Sequence, residues 1–431
     1  MADDPVLELD EPRRIDVTNV GGAGMSAVAT LLAEMGHHVS GHDPLEGSPF
    51  LAPLRALGVA VRTGDDADLP EGVEAVVVST ATPADHPAVV AASAAGLPVV
   101  HRRAALAALC ARRHVGAVAG THGKTTTSAM VATILQGAGR EPGWVVGARI
   151  AGLGRSATWG GQGPLVVEAD ESDGTFLALG ADAAIVTNVE PDHLEHWGGE
   201  EGLRRAFEQF VGALPGPAVL CADDPGALAL AAAARDPVTY GTADGADYRI
   251  RDAATVGTGV GFVLVHDGEE VPVSVPAAPG IHNARNAAAA LALAHRLGVP
   301  LGEAAAALTE FRGVSRRFEL RGEVDGITFV DSYDHLPTEI AAALAAARAG
   351  EWRRIVCCFQ PHRYSRTETL GRTFAHAFVD ADLLVVAGLY PAGEAPRPGV
   401  TGKIVADAVL DAHPWAAVAW MPSLDDAAGY L

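Results

Sequence analysis

Only two lysines occur in this 431-residue chain, Lys124 and Lys403, although lysine and arginine together number 31. Lys124 stands in "VGAVAGTHGKTTT", where a strand-like run meets a glycine-rich turn and then a helical pattern. That order puts Gly120, Thr121, His122, Gly123, Lys124, Thr125 and Thr126 at a helix N-terminus. There the first N–H groups lack partners and the helix dipole is positive, so a phosphate binds. A lysine after the second glycine can reach the β- and γ-phosphates of a nucleotide, and the next threonine can hold Mg²⁺. The string departs from G-x-x-x-x-G-K-[ST] in having Val118 at the first glycine. An ordinary helix start accounts for the threonines but not for one of two lysines in this slot.

A nucleotide's Mg²⁺ needs carboxylates. "PLVVEADESDG" ends a strand-like run with Glu168, followed by Asp170, Glu171 and Asp173. A carboxylate at a strand's C-terminal end beside a phosphate loop is the expected second support for the cation, although a solvated acidic turn is the commoner fate of such a run. In "AIVTNVEPDHLEHWGG", Asn188 and His193 suit a second Mg²⁺. His193 and His196 are three apart but lack the further partners zinc requires. A second glycine turn, "NVGGAGM", sets Gly22, Ala23, Gly24 and Met25 at a helix start, with Asp43 at the distance of a ribose-binding acid. Alone, that turn suits NAD and an oxidoreductase, a reading that leaves the phosphate loop unexplained.

The elements that must position these residues alternate. Strand candidates at 15–20, 75–79, 115–119, 164–168, 183–187, 327–330, 354–359 and 383–387 are interleaved with helix candidates at 25–36, 86–95, 124–137, 202–213, 283–297, 303–311 and 338–348. That is an α/β pattern with mostly parallel sheets. The stretch 241–275 alternates without helix signals and predicts hairpins. A net charge of −22 argues against a nucleic-acid surface, which needs a basic face. The four cysteines form no C-x-x-C pair, which points away from disulfides and structural zinc and toward a reducing cytoplasm. The acidic N-terminus has no signal-peptide core, and no run of about 18 apolar residues predicts a membrane span.

The strings "AGTHGKTTT", "VVEADESDGTF", "VTNVEPDH", "HNARNAAAA", "GVSRRFE" and "FQPHRYSRT" resemble, in this order and over nearly the whole chain, the ATP-dependent Mur ligases of peptidoglycan synthesis. "GGAGMSAVATLL", "ADESDG" and "FQPHRYSRT" are most similar to the alanine-adding branch. The resemblance implies three domains. Residues 1–108 form a Rossmann-like domain for the UDP-sugar, 109–312 a central P-loop-type domain for ATP and Mg²⁺, and 313–431 a Rossmann-like domain for the amino acid. It implies amide formation between L-alanine and the lactyl carboxylate of UDP-N-acetylmuramate through an acyl phosphate, in a monomer or homodimer. Its rivals are a murein-peptide ligase acting on the same sugar and a degenerate paralogue that binds without ligating.

Carried over by motif, Gly22, Ala23, Gly24, Met25, Asp43, Ser79 and Thr80 match the UDP-sugar site. Asn19 stands where the family has its first glycine, and asparagine tolerates a left-handed backbone. Gly120 to Thr126, His282, Asn283, Asn286, Arg317 and Asp331 match nucleotide positions, and Thr125, Glu168 and His193 match the metal positions. Lys124, Glu168, His193, His335, Arg363 and Arg366 match catalytic positions, while Tyr333, His335, Arg363 and Arg366 match the amino-acid site. The carbamylated lysine of later branches has no counterpart between Lys124 and Lys403. "VDSYDHLPTEI" departs from the family's "DDYGHHPTEI" at Ser332, Asp334 and Leu336, beside the incoming amino acid. The chain stops at "SLDDAAGYL", where relatives continue through a further strand and a glycine-containing turn near the amino-acid site; either the sequence is truncated or the pocket is built differently, and a missing strand would leave an exposed sheet edge.

Overall fold

The computed structural model describes residues 5–65, 67–350 and 352–431. It divides into two compact units: Met1–Arg251 with Val263–Val273 and Arg285–Ser315, and Asp252–Phe262 with Ser274–Ala284 and Arg316–Leu431.

The first unit begins with β1 (Arg14–Thr18), α1 (Ala23–Glu34), β2 (His38–Asp43), α2 (Leu51–Ala56), β3 (Ala60–Thr63), β4 (Ala75–Val78), α3 (Pro87–Ala94), β5 (Val99–His101) and α4 (Arg102–Cys110). The strands form a parallel sheet in the order β3-β2-β1-β4-β5. Strands covered by helices on both faces read as apolar runs, and β1 carries fully buried Ile15 and Val17. Its Asp16 is equally buried, and is satisfied by Ser40 Oγ at 2.6 Å and Arg62 Nη1 at 3.1 Å. Strand order reverses between β1 and β4, so a ligand crevice opens at their carboxyl ends.

Next come β6 (Val115–Ala119), α5 (Lys124–Gly137), β7 (Gly143–Val145), β8 (Ala157–Thr158), β9 (Leu165–Glu168), β10 (Ala183–Val186), α6 (Leu194–Trp197), α7 (Glu200–Ala213), β11 (Pro217–Cys221), α8 (Pro225–Ala229) and β12 (Asp236–Gly241). The expected hairpins follow as β13 (Tyr248–Val256), β14 (Gly259–His266) and β15 (Glu269–Val275), then α9 (Ile281–Arg296) and α10 (Leu301–Leu308). Asp267 and Gly268, at φ +48° and +83°, make the turn between β14 and β15, as an Asp-Gly hairpin requires. The sheet runs β15-β14-β13-β12-β11-β10-β6-β9-β7-β8, so β6 lies between β10 and β9. All five residues of β6 are buried. Helix α5 opens with three β-branched threonines, poor helix formers. Burial of most of its length, from Thr127 to Leu135, overrides that local preference.

The second unit holds the hairpin β16 (Glu319–Val324) and β17 (Ile327–Asp331), followed by α11 (Pro337–Arg348), β18 (Val356–Phe359), α12 (Tyr364–Leu370), β19 (Leu383–Ala387), α13 (Lys403–Ala412), β20 (Val418–Met421) and α14 (Leu424–Tyr430). Strands β18, β19 and β20 form a parallel sheet. Its core gathers Ile340, Leu344, Phe359, Phe374, Phe378, Val386, Val405 and Val409. Among the described residues no helix is long and apolar enough to cross a membrane.

Within the first unit, Glu34 at the end of α1 accepts from Trp159 N at 2.6 Å, Thr158 Oγ1 at 2.7 Å and Arg155 Nη1 at 2.8 Å. One carboxylate thus ties the first sheet's helix to the edge of the second sheet. Replacing it leaves those donors unpaired, each worth about 1–3 kcal/mol when buried. Glu34→Ala is expected to lower the urea midpoint of the chain by an amount equivalent to about 2 kcal/mol, and Glu34→Gln by less.

Candidate functional site

The turn between β6 and α5 is built against the end of β10. Gly120 sits at φ +128°, and a Cβ there would overlap the Thr187 hydroxyl and lie 3.0 Å from Asn188 O. Gly123 caps α5 at φ +79°, and a Cβ there would lie 2.7 Å from Asn286 Oδ1. Both positions therefore demand glycine. Thr121 N donates to Asn188 O at 3.1 Å and His122 N to Asn188 Oδ1 at 2.8 Å. The His122 ring meets Glu190 Oε2 at 3.1 Å. The amides of Thr121 and His122 are thus engaged by the β10 loop.

Lys124 folds back over this turn. Its ammonium donates to Gly120 O at 2.7 Å, Thr121 O at 3.2 Å and Glu171 Oε1 at 3.1 Å, with Glu171 Oε2 at 2.8 Å. Burial opposes the charge on Lys124, but the facing carboxylates of Glu171, Asp170 and Glu168 outweigh it and raise the pKa, so the ammonium keeps its proton. Burial pushes Glu171 up to about 7 despite that lysine. Thr125 Oγ1 donates to Glu168 Oε1 at 2.8 Å, and Glu168 Oε2 accepts from Gly147 N at 2.6 Å. The structure therefore brings Lys124, Thr125, Glu168, Asn188 and Asn286 together at the ends of β6, β9 and β10 and the start of α9. Thr126 occupies the first turn of α5. His193, left-handed at φ +52°, caps α6, with its ring 3.4 Å from Asp192. His282 and Asn283 are bonded to one another at 3.0 Å in the first turn of α9.

The other glycine turn follows the expected pattern. Asn19 is left-handed at φ +50° and bonds Thr82 Oγ1 at 3.0 Å. Gly22 caps α1, which begins at Ala23 and buries Met25. The Asp43 carboxylate already accepts from Gly21 N and Leu45 N, at 2.8 and 2.9 Å. Ser79 bonds Thr82 through both its amide and its hydroxyl, and Thr80 bonds His101. Sequence reasoning missed Thr82, which joins Thr18, Asn19 and Ser79 across the switch point. It also missed Arg102, whose Nη1 lies 2.6 Å from where a Gly24 Cβ would stand and whose Nη2 pairs with Asp173 at 2.6 Å. An arginine at a distant helix start gave no local signal.

In the second unit the expected residues gather around His362. Its ring nitrogens meet the Tyr333 hydroxyl at 3.2 Å and Arg366 Nη1 at 3.3 Å. His335 bonds Tyr333 O at 3.0 Å. Arg363 is held at φ +70°, with its amide on Tyr390 O at 2.8 Å, a strained backbone of the kind that marks functional turns. Arg316 and Arg317 lie over the Tyr333 ring, at 4.5 and 5.9 Å. Asp331 ends β17 in register with Glu319. The departures Ser332 and Asp334 bond each other at 2.7 Å, and Leu336 is buried.

Three domain families match this chain in sequence order. They are the Mur ligase family catalytic domain over residues 14–114, the Mur ligase middle domain over 118–294, and the Mur ligase glutamate ligase domain over 316–431. The chain belongs to the Mur ligase family. Among Mur ligases, it is 46% identical over 411 residues to the UDP-N-acetylmuramate–L-alanine ligase of Arthrobacter sp. (strain FB24), covering 93% of this chain and 86% of that one. It is 43% identical over 417 residues to the enzyme of that name from Thermobifida fusca (strain YX), covering 94% and 88%. The crystal structure of the UDP-N-acetylmuramate–alanine ligase from Thermotoga maritima superposes with a TM-score of 0.81 at 30% identity, covering 97% of this chain and 92% of that one. A murein peptide ligase from Psychrobacter arcticus gives 0.71 at 25%, with the same coverages.

Burial, then the charges of Arg366, His335 and Arg363, lower the pKa of His362 from 6.5 to about 4. The unfolded chain binds that proton more readily than the folded one. The stability His362 contributes is therefore complete above about pH 6.5 and is lost as pH falls toward about 4. Thermal melts between those limits should show unfolding shifting to lower temperature with acid, and His362→Gln should remove part of that dependence.

Proposed function

We propose that the chain joins L-alanine to the lactyl carboxylate of UDP-N-acetylmuramate, converting ATP to ADP and phosphate. The observation that carries this is the grouping of Lys124 with the Thr125–Glu168 pair, held by one turn at the ends of three adjacent strands. A free carboxylate is a poor acceptor for an amine, because hydroxide is a poor leaving group. Transfer of the γ-phosphoryl group to a lactyl oxygen turns that oxygen into phosphate, which leaves readily. The L-alanine amine then attacks the carbonyl carbon, and the tetrahedral intermediate expels phosphate.

The first step brings two anions together. Lys124 offsets their repulsion by holding the γ-phosphoryl oxygens, and the amides from Gly123 onward orient the chain of phosphates. Thr125 and Glu168 offer two hard oxygens 2.8 Å apart. Among the described residues no group of three histidine, cysteine, aspartate or glutamate side chains stands ready for a metal. Mg²⁺ takes one or two protein oxygens and completes its shell with water and phosphate. Bound there, Mg²⁺ would neutralise charge developing on the phosphoryl group.

The remaining assignments rest on position. The turn of Gly22, Ala23, Gly24 and Met25 holds the diphosphate, with Ser79 and Thr80 beside it. Asn283 and Asn286 face the nucleotide. Arg363 and Arg366 pair with the carboxylate of L-alanine, a task to which guanidinium forks are suited, and Tyr333 and His335 shape its pocket. The supply of ATP and UDP-sugar places this reaction in the cytoplasm.

Phosphate release from ATP in the presence of UDP-N-acetylmuramate should require L-alanine. Lys124→Ala should lower kcat by about 10²–10³-fold, the usual loss for one electrostatic contact to the reacting group. Arg366→Ala should act mainly on the KM for L-alanine. Release supported only by a murein tripeptide, or by no acceptor while ATP still binds, would contradict the proposal.

A further inference from the structure

The ammonium of Lys124 has three protons to donate. Two go to the turn's own carbonyls, Gly120 O and Thr121 O, and the third faces Glu171. Any phosphate that Lys124 grips must therefore compete with one of these acceptors. The two carbonyls belong to the turn itself and stay with it. Glu171 comes from the loop after β9, and it is the charged acceptor of the three.

Glu171 is nearly inaccessible, its side chain 2% exposed against 13% for Lys124. Its Oε2 lies 2.8 Å from the ammonium, yet only the contact to Oε1 has hydrogen-bond geometry, so Oε2 is buried without a donor. The loop that carries Glu171 is held in place. Its backbone carbonyl takes Trp197 Nε1 at 3.1 Å. The loop around it is pinned where Asp170 accepts from Ser172 at 3.1 and 2.8 Å, and where Asp173 accepts from Thr175 N at 3.0 Å and from Arg102. The backbone that carries this carboxylate is thus held next to the β6–α5 turn.

We propose that Glu171 is a positioning residue whose carboxylate Lys124 exchanges for the terminal phosphate of the nucleotide in each turnover. Its negative charge weakens nucleotide binding. It also draws the lysine back when phosphate has left the γ-position, which speeds product release. The inference rests on Lys124 being the γ-phosphate ligand of the proposed ATP site.

The lysine content of the chain provides the readout. Protein labelled at lysine ¹³Cε gives two lysine signals, from Lys124 and Lys403. Lys403, exposed and paired with Asp407, is the reference and is assigned with Lys403→Arg. Glu171→Gln should displace the Lys124 signal without added nucleotide. It should also tighten binding of a non-hydrolysable ATP analogue about tenfold, the value of one charged hydrogen bond in competition. KM for ATP and kcat should fall together. Glu171→Asp, which keeps the charge, should bind the analogue with an affinity between the wild type and Glu171→Gln. An unmoved Lys124 signal, or analogue binding unchanged or weakened in Glu171→Gln, would overturn the role of Glu171 alone. Failure of the wild-type chain to bind the analogue would overturn the ATP site and this inference with it.

Discussion

The site depends on the close approach of the β6–α5 turn to the loop after β10. Gly120 and Gly123 both hold positive φ angles, and neither has room for a Cβ. Because the backbone passes so near Thr187, Asn188 and Asn286, the start of α5 is fixed relative to β10 and to α9 at once. The direction of Lys124 follows from that fixed start, and so does the pairing of Thr125 with Glu168 at the end of β9. A looser turn would leave the same side chains present but unable to act on one phosphoryl group, since catalysis of this kind consists largely of prior alignment.

The chemistry then reduces to where charge is placed. The chain carries a net charge of −22, yet a cation stands at each candidate site: Lys124 at the β6–α5 turn, Arg102 over the first glycine turn, and Arg366 beside His362. Acidic residues set these cations in place, with Glu171 on Lys124 and Asp173 on Arg102. A cation held by a carboxylate is oriented and partly neutralised, so the ordering entropy is met before the substrate arrives. The cost is competition with the substrate's own anion.

Much of this was legible from short strings. The helix expected at 124–137 is found at Lys124–Gly137, because a glycine turn, a lysine and an apolar face agree on the same start. The strand expected at 15–20 stops at Thr18, because Asn19 turns left-handed. The α/β alternation and the hairpins of 241–275 follow from periodicity and turn chemistry. What could not be read is long-range. Strand β2, "HVSGHD", looks polar, since its His42 and Asp43 are buried through bonds to Gly64 O and Gly21 N. Thr82, Arg102, Glu34 and His362 act through partners that sequence spacing does not announce. Ser332 and Asp334 look like separate departures from the family pattern, and only the structure shows that the two bond each other.

In the proposed mechanism the lactyl carboxylate is activated by phosphoryl transfer at the Lys124 turn. The direct measurement is to supply UDP-N-acetylmuramate with both lactyl carboxylate oxygens as ¹⁸O, together with ATP and L-alanine, and to analyse the released phosphate by mass spectrometry. Transfer through an acyl phosphate leaves one ¹⁸O in each phosphate formed and one in the new amide. Phosphate free of ¹⁸O, formed in step with the amide, would show that no acyl phosphate is made and would contradict the role given to this turn.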